Sequence, residues 1–179
     1  MNNEQIKMKA RRVYEIGRIR SASQFILFVL PVIIISFVTC VSPFLPILMG
    51  SLLASVIFLM KWRGEEYGFA AGSGFKAGLI AFIIPLLLHL FDICCEGNLE
   101  VLFCVLSGAL GGAILGIQVS KSTRPHKYRA LLFAVGISGL TAALGCLSLG
   151  VGAVAGLFGA LLITAVSFFA LNFTFKKSH

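Results

Sequence analysis

Acidic residues are scarce in this chain. Seven Asp and Glu stand against 15 Lys and Arg, and charged residues of both signs make up only 12% of 179 positions. A water-soluble domain of this size needs far more charge to cover its surface, so a single soluble core is excluded. Histidine is also rare, at three residues. His126 and His179 lie in polar segments, which leaves no credible Ser–His–Asp set. The glycine-rich stretch 68–74, read as part of a loop, lacks the Lys-Ser/Thr of a phosphate-binding loop. A membrane-embedded hydrolase needs paired polar side chains at mid-span. Ser36, Ser138, Thr141, Thr164 and Ser167 are scattered instead, and helix hydroxyls usually bond to their own backbone. These absences point away from an enzyme, and no cofactor is expected.

What the chain has in abundance is apolar sequence. Hydrophobic residues make up 58% of it, and the mean hydropathy is +0.98. About 20 apolar residues carry a helix across the hydrocarbon core. Six runs approach that length: 23–41, 44–60, 77–95, 101–119, 130–147 and 151–175. Pro43 and Pro46 fall at the start of the second, where a missing N–H costs least. The turns near Ser42 and Ser148 are short enough that either pair could form a bent re-entrant structure. The first run follows about twenty polar residues without a small-residue cleavage site, so it reads as a signal-anchor helix. The expected fold is all-α: a polytopic membrane bundle of six helices in three tandem hairpins, at about 23–60, 77–119 and 130–175. A basic segment, 1–22, precedes it as an interfacial helix or a solvated tail, and a short tail, 176–179, follows.

The basic residues fix the orientation. All 15 Lys and Arg fall before the first run, after the second, after the fourth or after the sixth. Six crossings therefore put every one on a single face. The opposite turns hold none, and one of them carries Asp92, Glu96 and Glu100. By the positive-inside rule both termini are cytoplasmic, in a bacterial-type cell membrane. The net charge of +8 does not indicate nucleic acid, because no basic stripe is interleaved with aromatics. The expected partners are the lipid bilayer and a membrane protein, either another copy of the chain or a different subunit.

Two patterns mark residues for closer attention. One is an internal repeat. Pro31 lies nine residues before Cys40, and Pro85 lies nine before Cys94. Gly50 and Ala54 follow Cys40 at the intervals at which Gly156 and Ala160 follow Cys146. Such a repeat implies approximate threefold symmetry about the membrane normal. Gly108, Gly112 and Gly116 line one face of the fourth run; Gly152, Gly156 and Ala160 line one face of the sixth. Small faces of this kind let helices pack closely, within the bundle or between copies.

The other pattern is a cluster at the outer face. Cys40, Cys94, Cys95, Cys104 and Cys146 all fall near it. His89, Asp92 and Glu96 share one helix face there by their three-four spacing, and an ionisable group at the depth of His89 must face protein or water. Three chemistries fit. The cysteines pack as small apolar groups; or a pair such as Cys95 with Cys104 closes a disulfide; or His89, Asp92, Cys94, Cys95 and Cys104 hold a soft metal, zinc or copper. The function expected is a non-enzymatic transport component or membrane scaffold subunit, with a thiol- or soft-metal-handling protein as the alternative.

Overall fold

The computed structural model describes residues 3–39, 44–90, 98–122, 127–146 and 151–177. They form α1 (Asn3–Thr39), α2 (Phe44–Arg63), α3 (Glu65–Leu90), α4 (Asn98–Lys121), α5 (Lys127–Cys146) and α6 (Val151–Lys177), with no strand among the described residues. All six are long and apolar enough to cross a membrane.

Two helices, α1 and α3, begin more than ten residues before their apolar runs. In α1 the basic segment and the first apolar run are one uninterrupted helix of 37 residues, about 55 Å long. That is longer than a hydrocarbon core of about 30 Å, and the basic part continues the helix of the first apolar run. The expected loop around 68–74 is likewise the first half of α3, and Lys76 lies inside that helix with its side chain exposed. One residue, Gly64, separates α2 from α3. Its φ of 145° is one that only glycine adopts without strain.

The reason α3 tolerates its glycines is its contact with α5. At Gly74 an added Cβ would run into the Ala134 carbonyl oxygen, with the Ala134 Cα 2.9 Å away. At Gly78 it would lie 2.8 Å from the Ser138 carbonyl oxygen. The α4–α6 pair is built the same way. An added Cβ would lie 2.5 Å from the Leu157 oxygen at Gly108, 2.5 Å from the Leu161 oxygen at Gly112 and 2.8 Å from the Ala165 oxygen at Gly116. Close backbone approach of this sort holds helices together by dispersion and weak Cα–H contacts. The other small residues are less tightly held. Gly50 faces the Ile33 side chain on α1, and Gly156 faces the Val105 side chain on α4. Ala54 and Ala160 are half-buried, and Gly152 falls outside the described side-chain positions.

The helices thus pair chiefly as α4 with α6 and α3 with α5, while α1 leans on α2 and reaches the rest through α2 and α5. Three equivalent hairpins would pack alike, and the described helices do not: the second and third are closely joined, and the first is peripheral. One core cluster, including Val29, Leu53, Ile57, Phe75, Phe82 and Ile137, ties α1 and α2 to α3 and α5. The buried Ser36 hydroxyl on α1 donates to the Leu144 carbonyl at 2.7 Å. That carbonyl lies in the last turn of α5, where carbonyls lack intrahelical donors, so α1 helps cap α5. Ser36 therefore does not bond within its own helix as expected, whereas Thr141, Thr164 and Ser167 do.

Candidate functional site

The site expected from sequence lies at one end of the bundle, where α3 ends, α4 begins and α5 ends. Asp92, Cys94 and Cys95 lie outside the described residues, as does Cys40, and so does the side chain of His89, whose backbone is in the last turn of α3. Cys104 is described. It sits between the first and second turns of α4, fully buried, and it meets a residue that was not in the expected ligand set. The Sγ atoms of Cys104 and Cys146 are 2.8 Å apart.

The local sequence explains the meeting. Cys104 precedes Gly108, Gly112 and Gly116 at the same four-residue spacing, so it continues the small face that α4 turns inward. Cys146 is the last residue of α5 and directly follows Gly145, which lies against the backbone of α3 at Phe82. Around the two sulfurs the buried neighbours are Ala81, Ala142, Ala153 and Leu157, with Val154 and Phe158 packed beside them. These described neighbours form an apolar wall against which small thiols fit well.

The pair has two chemistries open to it. A disulfide needs no third ligand; it joins two sulfurs about 2.05 Å apart with a Cβ–S–S–Cβ dihedral of about 90° in either sense, and the observed sulfurs lie within an ångström of that separation. A tetrahedral zinc, with Zn–S of about 2.3 Å, holds its sulfurs about 3.8 Å apart and needs two further donors. No third His, Cys, Asp or Glu joins the pair among the described residues, so further donors would have to come from outside them. Sequence reasoning placed Cys104 and Cys146 at the same face and did not join them. The signal was there: six alternating helices bring the start of α4 and the end of α5 to one end of the bundle, and both residues adjoin glycines there.

No protein family, curated protein or solved structure matches this chain. Its function therefore rests on the chemistry of its own residues.

Proposed function

We propose that the chain is a small multi-pass membrane protein of the cell membrane, with both ends cytoplasmic, that works without catalysis as a transport component or as a scaffold subunit for partner membrane proteins. The observation that carries this reading is the unequal packing of its helices. The α3–α5 and α4–α6 pairs touch backbone to backbone, leaving no room between partners even for a Cβ at Gly74, Gly108 or Gly112. No ligand passes between helices so joined. The α1–α2 pair, by contrast, joins α3 and α5 through side chains and without such backbone contacts, and it carries uncovered apolar side chains, among them Leu27, Phe28, Val38, Phe44 and Leu52. In a bilayer such faces meet lipid or another membrane helix.

Photo-crosslinking side chains placed at Phe28 and Leu52, in intact cells, test this. They are expected to yield protein adducts, while the same probes at Leu132 on α5 and Ile163 on α6, which are equally uncovered, label lipid only. Adducts of twice the chain's mass identify a homo-oligomer; other masses identify a partner subunit. Lipid labelling alone at all four positions contradicts a scaffold or subunit role.

A second reading is favoured by a specific contact. The approach of Cys104 to Cys146 supports a thiol-handling or soft-metal-handling role for the outer end, with zinc or copper as the ion.

A further inference from the structure

At the opposite end of the bundle, a cleft of about 700 Å³ opens between α1 and the α2–α3 junction. Tyr14, Gly17, Arg18 and Ser21 line it from α1, and Lys61, Gly64 and Gly68 from the junction. The sequence presents these as separate basic residues on two segments more than forty positions apart; the fold brings them to one opening.

The cleft is built to hold a negative group. Nη2 of Arg18 is buried and has no hydrogen-bond partner among the described residues. A buried guanidinium nitrogen without an acceptor is costly, and its planar donor fork suits phosphate oxygens. The guanidinium stays in place over the Tyr14 ring, 5.5 Å from its centroid, and the Lys61 ammonium lies 4.7 Å from the Phe25 ring centroid. Both cations are thus positioned by aromatic faces, and neither pairs with a carboxylate among the described side chains. On α1 the Glu15 carboxylate pairs with the exposed Arg11 at 3.2 Å, away from the cleft lining. Gly64 and Gly68 leave the cleft wall without side chains, and a Cβ at Gly64 would stand 3.7 Å from Arg18 Nη2. Trp62, half exposed beside a neighbouring cleft that Arg18 and Arg63 also line, supplies the aromatic ring typical of the headgroup level.

We propose that this cleft binds the phosphate group of an anionic phospholipid, with Arg18 and Lys61 as its ligands. The shared chemistry is a phosphate-bearing anion. The source assigned is lipid, because the cleft lies where apolar helix gives way to basic residues, at the depth of a headgroup. The inference rests on the membrane reading above, and the experiment separates the two.

The full chain, purified in detergent, is offered phosphatidylglycerol, phosphatidylcholine or inorganic phosphate, and lipid retention is read by native mass spectrometry alongside thermal melting. Retained phosphatidylglycerol and a raised melting temperature are expected, with much weaker effects from phosphatidylcholine. The double variant R18Q/K61Q is expected to hold phosphatidylglycerol roughly 30-fold less well. The variant K9Q/R12Q, with the same loss of charge on exposed positions of α1, is expected to bind as the parent does. Glu65 and Glu66 adjoin the cleft in sequence, and E65Q/E66Q is expected to retain at least as much lipid. Equal uptake of both lipids, or equal weakening by R18Q/K61Q and K9Q/R12Q, overturns the cleft and leaves the membrane reading intact. A full thermal shift from inorganic phosphate alone overturns the lipid assignment. A chain that takes up neither lipid contradicts the membrane reading itself.

Discussion

Gly112→Leu is expected to destabilise the folded bundle strongly in mild detergent, and Gly108→Leu and Gly74→Leu to do the same. At each position the obstacle is backbone. A Cβ at Gly112 would meet Thr164 Oγ1 and the Leu161 oxygen, with the Ala165 nitrogen 3.1 Å away. Neighbouring backbone cannot rotate aside as a side chain can, so whole helices must separate. Overpacking ordinarily costs about 1–3 kcal/mol; here about 3 kcal/mol or more is expected, against a total stability of roughly 5–15 kcal/mol. Gly156→Leu should cost less, because its nearest neighbour is the movable Val105 side chain at 3.1 Å. Gly136 and Gly159 provide the control. Both lie inside helices with nothing within 4 Å of an added Cβ, so Gly136→Ala and Gly159→Ala should be neutral or stabilise by up to about 1 kcal/mol. Size-exclusion profiles and melting curves read the whole series. Equal melting of Gly112→Leu and Gly159→Ala would remove the proposed α4–α6 contact.

Mild oxidation is expected to join Cys104 to Cys146. A soluble disulfide reagent accepts the electrons: the two protein thiols give up their hydrogens, one S–S bond forms between them, and the reagent's own S–S bond is reduced to two thiols. The chain's mass then falls by that of two hydrogen atoms. The cysteines lie 42 positions apart, and closing a loop of that length stabilises by about 4 kcal/mol in the chain-entropy model. For a chain of this size that corresponds to a rise in Tm of roughly 10 °C. Cys104→Ser removes both the crosslink and the shift. Peptide mapping that joins Cys104 to Cys95 instead would overturn the pairing. Zinc or copper retained near stoichiometry by the reduced protein, and lost in Cys104→Ser/Cys146→Ser, would favour the soft-metal reading, since a hydroxyl is a poor ligand for such ions.

The six helices were legible because hydropathy over about 20 residues is a strong and local signal. Their pairing was not. Which small face meets which depends on two helices at once, and Gly108, Gly112 and Gly116 look alike whether they face α6, α5 or another copy. The early start of α3 was hidden by Gly72 and Gly74 and by Lys76. Glycine lowers helix propensity, but Gly74 is where the α5 backbone comes closest, and a long lysine stem can run along apolar surface while its ammonium reaches water. The unbroken α1 was missed because hydropathy changes sharply near Ser23 while helicity does not. At the candidate site, the contact of Cys104 with Cys146 emerged only once α4 and α5 were in register. The Arg18–Lys61 cleft was illegible altogether. Lys and Arg near a span end read as anchors in any membrane protein, and only the fold shows that an Arg18 nitrogen is buried without an acceptor.

The central claim is that six helices cross a bilayer with every basic segment on one side. Paired reporters test it most directly: a fluorescent protein active only in the cytoplasm, and a phosphatase active only after export, each placed after Lys177, within 122–125, and between Gly97 and Asn98. Fluorescence without phosphatase activity is expected at the first two positions, and phosphatase activity without fluorescence at the third. Phosphatase activity within 122–125 would contradict the six-span arrangement, and with it the location assigned to both the cysteine pair and the anion cleft.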